Sequence, residues 1–323
     1  MVASRKKIIS YLIKASILVL ATVFIYTRLS NNTNLDNFLA LINELDNIKV
    51  WLILTSIFLL MLFNWFIESI KWKFLISKVE PISIKRAIES VFCGLTWAVF
   101  TPNRIGEYGG RIFFLSPRKR IQGMVAMSVG HIAQMVITNV VGALAMLWFI
   151  YSFLAVDRLV FFILAFLITV FCIFFTLFYF NIYWLNNLVR NIKSFKKIKV
   201  FFSVLTRYSK KELTKVMLYS MLRFAVFTSQ YLLIMELLIP EIPFYKSAFL
   251  VFILFFVQSA LPSLDLLDIG VRSMTATYFF SFITTQEIAV MAAAALIWLV
   301  NLIIPAILGS FFVFKLKFFS DSY

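Results

Sequence analysis

Long apolar segments separated by short basic loops constrain this chain more than any other feature. A helix needs about 20 mostly apolar residues to cross the hydrocarbon core of a bilayer. Six runs are long enough, at about 8–29, 50–77, 121–150, 158–184, 211–239 and 286–314. The sequence is 62% hydrophobic and 14% charged, whereas a soluble domain is about half apolar and a quarter charged. We therefore predict an all-α integral membrane protein, with a single membrane domain over residues 1–323.

Charge and cysteine usage exclude several classes of function. The net charge is +16, but the basic residues lie in short segments between apolar runs, which is typical of loops that face anionic headgroups. We therefore expect no nucleic-acid partner. Cys93 and Cys172 both lie inside apolar runs, and the chain has one histidine, so we expect neither a metal site nor another cofactor.

Two further apolar regions, about 86–117 and 246–284, are interrupted by proline, glycine and charged residues. Basic residues flank the first region on both sides, and the loop before the second region is acidic, with Glu236 and Glu241. Lys and Arg accumulate in the cytoplasmic loops of membrane proteins. This rule holds at every loop only if each interrupted region enters and leaves the membrane on the same side. We therefore predict six transmembrane crossings plus two re-entrant helical hairpins, with the N- and C-termini in the cytoplasm.

The two interrupted regions carry similar motifs. Residues 101–111 read TPNRIGEYGGR, and residues 261–272 read LPSLDLLDIGVR. Each motif ends in the pattern acid-x-Gly-x-Arg, and the two arginines are 161 positions apart. Short similarities arise by chance in so biased a composition, but motif, position and sidedness agree here. We therefore predict a repeat with halves of about 1–155 and 156–323. Each half has three crossings, an odd number, so the second half starts on the opposite side of the membrane and the repeat is inverted.

Two hairpins that enter from opposite faces would bring their broken tips together near the membrane centre. Non-helical backbone at that depth is tolerated where protein or a water-filled cavity surrounds it. Helix N-termini favour an anion such as phosphate, and Arg104, Arg111 and Arg272 add a fork geometry that fits phosphate oxygens. An arginine at the centre of a span costs roughly 2.5–3.5 kcal/mol, so these three predict a binding site for a phosphate group.

The acidic residues of the hairpins have two interpretations. Glu107 and Asp268 each precede an arginine by four residues, which is the spacing of a stabilising pair on a helix. They are therefore partners of the arginines or, together with Asp265, acceptors of protons or of a cationic part of the substrate. The two roles are compatible, since a phosphate can displace a carboxylate from its arginine.

Polar residues of the other crossings complete the candidate substrate site. His131 in the third crossing and Arg223 in the fifth are assigned to it, although a histidine in a span is also typical of contacts between helices. Glu68 lies near the cytoplasmic end of the second crossing. It is either paired with Lys71 or Lys73, or part of the functional site.

The segment TPNRIGEYGGR, followed by a basic turn and a crossing that begins at 122–123, resembles the lysylphosphatidylglycerol synthase transmembrane region. The second hairpin, LPS followed by DIGVR, resembles the second Pro/Gly motif of that family. The resemblance covers essentially the whole chain, and its specific motifs are the two hairpins. Family members are flippase-like proteins, found as the N-terminal half of multiple peptide resistance factors and as stand-alone proteins. At Asn103 and at 263–265 this chain has residues where the family more often has glycine.

The resemblance implies a translocase that moves an anionic phospholipid or a polyprenyl-phosphate-linked lipid between leaflets, by rocking of the two halves. The sequence ends at Tyr323 without a soluble synthase domain, so we expect a stand-alone member and no enzyme activity. The expected partner is a membrane lipid with a phosphate headgroup, and a homodimer is compatible with the sequence. A composition rich in Phe, Ile, Lys and Asn indicates a bacterium, and hence its cytoplasmic (inner) membrane.

Two other functions remain open. A membrane-embedded transferase that modifies a lipid would need paired carboxylates holding a divalent metal through a diphosphate. A small-solute transporter would have a site closed to the bilayer, whereas a lipid site opens to the bilayer between helices.

Overall fold

The computed structural model describes residues 40, 43–99, 101, 104–185, 199–260 and 268–313. All regular structure in these ranges is helical. In chain order the main helices are α1 (Asn47–Ile76), α2 (Ile84–Val99), α3 (Ile105–Ile112), α4 (Arg120–Phe153), α5 (Arg158–Phe180), α6 (Lys210–Leu238), α7 (Phe244–Ala260), α8 (Asp268–Phe280), α9 (Glu287–Trp298) and α10 (Ile304–Val313).

Five helical segments are long and apolar enough to cross a membrane. They are α1, α4 with the short 3-10 turn before it, α5, α6, and the continuous segment formed by α9 and α10. These segments coincide with five of the six predicted crossings, and the protein is therefore an α-helical, multi-pass membrane protein. The remaining predicted crossing, 8–29, lies outside the described residues.

Polar side chains mark where three of the crossings begin. The Asp46 carboxylate accepts a hydrogen bond from the second residue of α1, and Asp157 does the same for α5. Ser209 and Glu212 form a capping box at the start of α6. Such caps satisfy backbone N–H groups that have no partner inside the helix. They place the start of each of these crossings where the sequence changes from polar to apolar.

Each interrupted region forms a pair of helices too short to span. The 16 residues of α2 extend about 24 Å at 1.5 Å per residue, which is less than the hydrocarbon thickness of about 30 Å. Helices α2 and α3 run antiparallel in close contact, because a Cβ atom on Gly110 would lie 2.5 Å from the Cα atom of Gly94. The second region consists of α7 and α8. This is the secondary structure expected of two hairpins, and their re-entrance stays a prediction.

The helices of the two predicted halves pack against each other in matching pairs. The central pair is α1 and α6, while α2 packs along α10 and α7 packs along α4. Glycine allows both outer contacts, since a Cβ on Gly142 of α4 would overlap the side chain of Phe256, and one on Gly309 of α10 would overlap the backbone oxygen of Phe92. In an inverted repeat, a helix of each half is expected to pack against the corresponding helix of the other half, as these pairs do. The repeat itself stays a prediction.

Helix α5 lies at the periphery. None of its most apolar 18-residue window is buried in the protein. A helix that is apolar on every face and packs weakly is surrounded by lipid in a membrane protein. It contributes little to the site, which lies among the other crossings and the hairpins.

The last crossing contains a wide turn. Residues Leu299–Ile303 form a π-helical segment between α9 and α10. Pro305 follows it by two residues, and a proline ring clashes with the carbonyl one turn earlier in a regular helix. The wider turn accommodates the ring, and it places Asn301 at a position where π-bulges in other proteins often serve function.

Candidate functional site

A buried carboxylate, Glu68 of α1, lies at the centre of a cluster of charged side chains. Its Oε1 atom accepts a hydrogen bond from Arg111 Nη1 of α3 at 2.7 Å. Its Oε2 atom lies 2.7 Å from Lys71 Nζ and also accepts a hydrogen bond from Arg223 of α6. Glu68 is 2% exposed, and Lys71 and Arg111 are each 1% exposed. Glu68 therefore joins the first hairpin, α1 and α6 through three ionic contacts.

A second buried carboxylate, Glu107 of α3, completes the cluster. It accepts a hydrogen bond from Arg111 and lies 3.3 Å from Arg104 Nε. Arg111 is thus held between Glu68 and Glu107, one on each side. The pair that helical spacing predicts, Glu107 with Arg111, is present, and of the two lysines considered as partners of Glu68 it is Lys71 that lies beside it. Removing one partner of such a buried pair costs about 3–5 kcal/mol, because the other charge is left uncompensated.

Positive charge exceeds negative charge in this cluster. Around the carboxylates of Glu68 and Glu107 lie four cationic side chains, those of Lys71, Arg104, Arg111 and Arg223. Buried charge in a membrane is costly unless it is matched. Among the described residues the cluster is therefore better suited to an anion than to a cation.

Arg223 connects the cluster to a cavity. Its Nε atom donates a hydrogen bond to Asn64 Oδ1 at 2.9 Å, and its guanidinium lies 5.1 Å from the ring centre of Trp65. Its side chain is 15% exposed, unlike those of Lys71 and Arg111. The exposed part contributes to the wall of a cavity of about 320 Å³. Arg223 therefore faces both a buried carboxylate and an open space.

The cavity lies where both hairpins meet the crossings. Three arginines line it: Arg104 before α3, Arg223 on α6, and Arg272 on α8. Arg272 donates a hydrogen bond from Nη1 to Gln258 Oε1 of α7 at 2.8 Å, which links the two helices of the second hairpin. One arginine from each hairpin motif, Arg104 and Arg272, therefore contributes to the same space.

Arg104 is held in an unusual backbone conformation. Its φ of 56° and ψ of 27° place it in the left-handed region, which costs about 1–3 kcal/mol for a residue other than glycine. Thr101 Oγ1 accepts a hydrogen bond from the backbone N–H of Gly106 at 2.7 Å and so caps the start of α3. Backbone strain of this kind clusters at functional sites, and here it turns an arginine toward the cavity.

The rest of the cavity wall is both polar and aromatic. The polar side chains are Asn64, Gln134, Thr138, Gln258, Ser259 and Asn301. The apolar side chains are Trp65, Phe224, Phe227, Phe255, Ile297, Trp298 and Leu302. A space with three cations, several amides and a large aromatic surface can hold a molecule that is polar at one end and apolar at the other.

His131 and Tyr108 lie beside the cluster and do not line the cavity. The Tyr108 hydroxyl and His131 Nδ1 are 2.7 Å apart, and the two rings meet edge to face. The Nε2 atom of His131 is 3.9 Å from Glu107 Oε1. His131 of α4 therefore contacts Tyr108 of α3, and it lies at the edge of the cluster, near the carboxylate of Glu107.

The predicted site residues fall into three groups. Arg104, Arg223 and Arg272 line the cavity, whereas Glu107 and Arg111 are buried in the cluster and His131 is next to it. Arg111, which is predicted to hold a phosphate, lies between two carboxylates and is 1% exposed, so it does not line the cavity in this conformation, whereas Arg223 does. Asp265 and the side chain of Asp268 lie outside the described residues.

The sequence leaves Glu68 open between an ion pair with Lys71 or Lys73 and a functional role, and the structure places it at the centre of the cluster. An ionisable residue within a crossing indicates function, but the distant arginines that contact Glu68 cannot be predicted from its position. Asn64, four residues before it, lies on the same helical face and binds the same arginine. Gln258 and Asn301 are also missed, because a single amide in an apolar helix is common between packed helices.

A comparison with known families identifies the family of this chain. The family described as "Lysylphosphatidylglycerol synthase TM region" matches residues 11–309, which is most of the chain and includes both hairpins. No curated protein matches the chain, and no solved structure matches it. The chain belongs to the lysylphosphatidylglycerol synthase transmembrane-region family, and it is a membrane protein related to the handling of lipid.

Proposed function

We propose that this protein is a translocase that moves a lipid with a phosphate-bearing headgroup from one leaflet to the other. The substrate is an anionic phospholipid or a polyprenyl-phosphate-linked lipid. The observation that carries the proposal is the cavity that Arg104, Arg223 and Arg272 line together. These arginines come from the first hairpin, a crossing and the second hairpin, so a bound phosphate would contact all three elements at once.

Arginine is the side chain best suited to this task. Its planar guanidinium is always charged and presents paired N–H donors that match phosphate oxygens. Arg104 and Arg223 belong to a cluster in which cations outnumber carboxylates. A phosphate would therefore complete the charge balance of the site, and this supports an anion as the substrate.

The apolar part of the cavity wall supports a lipid over a small polar solute. Trp65, Phe224, Phe255 and Trp298 lie beside the arginines. A headgroup at the arginines would place the first part of its acyl or prenyl chain against these rings. A water-soluble phosphate compound would leave the same rings in contact with water, which is unfavourable.

Arg223 offers a way for substrate binding to change the structure. It binds Glu68 and Asn64 on α1 while it lies on α6, so it ties together the two central crossings. A phosphate in the cavity competes with Glu68 for this arginine. The binding energy of the phosphate thereby weakens the contact between α1 and α6, as a ligand must in order to favour a second conformation.

Transport is better supported than catalysis. In the described part of the chain, both carboxylates of the cluster, Glu68 and Glu107, are engaged by arginine. A transferase that holds a diphosphate through a metal needs carboxylates available for the metal. We therefore propose that the protein moves its lipid without modifying it.

The experiment that tests the proposal is a lipid-translocation assay in vesicles that contain the purified protein. Fluorescent phosphatidylglycerol is quenched in the outer leaflet by dithionite, with and without an imposed pH gradient. The variants Arg223→Gln and Arg272→Gln each remove one charged donor, and we expect roughly tenfold to hundredfold slower translocation. Arg158→Gln is the matched control, because Arg158 is exposed at the start of the peripheral α5.

Two outcomes would refute the proposal. If both cavity variants move lipid at the rate of the wild type, the arginines do not bind its headgroup. If the wild type moves no lipid but takes up inorganic phosphate or a phosphorylated solute, the protein is a solute transporter.

A further inference from the structure

The one histidine of the chain, His131, lies beside the charged cluster and outside the cavity wall. Its Nδ1 atom is 2.7 Å from the Tyr108 hydroxyl oxygen, and its Nε2 atom is 3.9 Å from Glu107 Oε1. Histidine is the side chain whose charge ordinarily changes between about pH 5 and 8. Ionisable residues inside membrane segments often belong to proton pathways. The position of His131 therefore indicates a role in binding a proton rather than the lipid.

The contacts of His131 suit both of its protonation states. A hydroxyl group both donates and accepts, so Tyr108 can donate to Nδ1 of the neutral ring and accept from Nδ1–H of the protonated ring. In both states Nε2 then carries a hydrogen on the side of Glu107. The positive charge of the protonated ring attracts the carboxylate across the present 3.9 Å. The ring can therefore gain a proton and keep its hydrogen bond to Tyr108.

Water has access to this side of the first hairpin. The side chains of Arg104 and His131 are 37% and 33% exposed, and both approach the carboxylate of Glu107, which is 6% exposed. A charged arginine within a membrane faces protein or a water-filled space rather than lipid. Broken backbone, such as that before α3, has the same requirement. A proton can therefore reach His131 from water while Glu107 stays enclosed.

The charged groups around His131 are already paired with one another. They are Arg104, Glu107 and Arg111 of the first hairpin, Glu68 and Lys71 of α1, and Arg223 of α6. A change in the charge of any of these groups breaks a buried ion pair, which is costly. Protonation of His131 creates an ion pair instead. His131 is therefore the group of this region best suited to gain and lose a proton.

The other elements packed against α4 place their charged groups away from His131. Arg158 and Lys246 lie in the first turns of α5 and α7, near the C-terminal end of α4. Arg207, before α6, donates a hydrogen bond to the backbone oxygen of Lys78. The charge of His131 is therefore felt mainly by the cluster.

Glu107 connects His131 to the cavity. Its Oε2 atom lies 3.3 Å from Arg104 Nε, and Arg104 lines the cavity. Protonated His131 is a further cation at the same carboxylate, so Glu107 attracts Arg104 less strongly. More of the positive charge of Arg104 then acts on an anion in the cavity. A proton at His131 and an anion in the cavity therefore favour each other's binding, and such coupling is reciprocal.

We propose that His131 is a proton-binding site coupled to the anion site, and that the protein moves its lipid together with a proton. The proton comes from water and adds to Nδ1 of the imidazole, and it returns to water when the lipid leaves. A pH difference across the membrane then drives the lipid toward the alkaline side. This inference rests on the proposed function and specifies the source of its energy.

The first test is NMR of the purified full chain in detergent, labelled in its histidine ring and prepared with a tag that contains no histidine. Because the chain has one histidine, its ring gives a single set of signals, which is titrated with and without phosphatidylglycerol. The phosphodiester of this lipid keeps the same charge over the titration. Coupling free energies between sites typically correspond to fivefold or more. We therefore expect the lipid to move the titration midpoint to higher pH by about 0.7 units or more, which is the same fivefold effect.

The second test measures lipid affinity against pH, by the change in tryptophan fluorescence, because Trp65 and Trp298 line the cavity. The wild type should bind phosphatidylglycerol about fivefold more tightly at pH 5.5 than at pH 8. His131→Gln cannot take up the proton and should show the weaker affinity at both pH values. Glu241→Gln, exposed between α6 and α7, is the control and should keep the dependence on pH.

The outcomes separate this inference from the proposed function. Lipid binding with an unchanged titration midpoint, or with the same affinity at both pH values, would overturn the proton site and leave lipid translocation standing. A dependence on pH that persists in His131→Gln would assign the proton to another group and also overturn the inference. If His131→Gln does not fold, the NMR titration of the wild type still decides the question. If phosphatidylglycerol binds at neither pH, the proposed function itself fails.

Discussion

Replacing Glu68 with glutamine removes a negative charge that three cationic side chains contact. The side chain keeps its size, so packing around α1 is preserved while the ionic contacts are lost. Arg111 retains Glu107, and Arg223 retains the side chain of Asn64. Lys71 is affected most, because it is 1% exposed and loses the carboxylate that lies 2.7 Å from its Nζ atom.

The expected loss of stability follows from that difference. Leaving one buried charge without its partner costs about 3–5 kcal/mol. One cation rather than three is left without a partner, so we expect a loss of about 3 kcal/mol in the free energy of unfolding. A loss of that size lowers the Tm by about 6–12 °C, taking about 2–4 °C per kcal/mol for a chain of moderate size.

The assay is thermal unfolding of the purified protein in detergent, followed by tryptophan fluorescence. Glu212→Gln is the control, because the pair of Glu212 with Lys78 is partly exposed and a solvated pair contributes about 0–1 kcal/mol, while glutamine also serves in the capping box of α6. In the double variant Glu68→Gln, Lys71→Met no buried cation is left without a partner, because Arg111 keeps Glu107 and Arg223 keeps Asn64, so most of the Tm should return. A Tm within about 2 °C of the wild type for Glu68→Gln, or no recovery in the double variant, would refute this reasoning.

Three further predictions concern the backbone. Gly309→Ala should lower stability by about 1–3 kcal/mol, because the new methyl group overlaps a backbone oxygen of α2. Gly109→Ala has free space and should be neutral or stabilising by up to about 1 kcal/mol; equal Tm values for the two would contradict the close contact. Arg104→Gly removes the strain of the left-handed residue but also the ion pair with Glu107, so the Tm should stay within about 2 °C of the wild type while lipid translocation slows; an unchanged translocation rate would show that Arg104 does not bind the headgroup. Thr101→Val removes the cap of α3 and should speed hydrogen exchange in its first turn by about fivefold; unchanged exchange would show that the cap is dispensable.

Much of the architecture follows from the sequence, because lipid imposes simple rules. Crossings need a minimum apolar length, and broken segments are visible as proline and glycine in an apolar run. The boundaries predicted at 50–77 and 211–239 differ by only a few residues from α1 and α6. The polar caps at the start of these helices involve residues that are close in the sequence. They can therefore be predicted without knowledge of the fold.

The candidate site was predicted only in part, because its contacts are distant in the chain. Glu68 and Arg223 are far apart in sequence, and nothing local to either residue predicts that they meet. The repeat suggests equivalent roles for Arg111 and Arg272, yet one is buried between two carboxylates and the other lines the cavity. Arg111 receives one of its carboxylates from α1, which supplies Glu68, and sequence similarity between the hairpins does not show this contact.

The two glycine contacts restrict how the molecule can rearrange. Where Gly142 touches α7 and Gly309 touches α2, backbone meets backbone or the base of a side chain, and no flexible side chain lies between them to absorb sliding. Each of these contacts joins one helix from the first part of the chain to one from the second. We therefore expect α2 to move together with α10, and α4 together with α7, in any rearrangement of the molecule. The boundary between moving parts would then not follow the midpoint of the sequence.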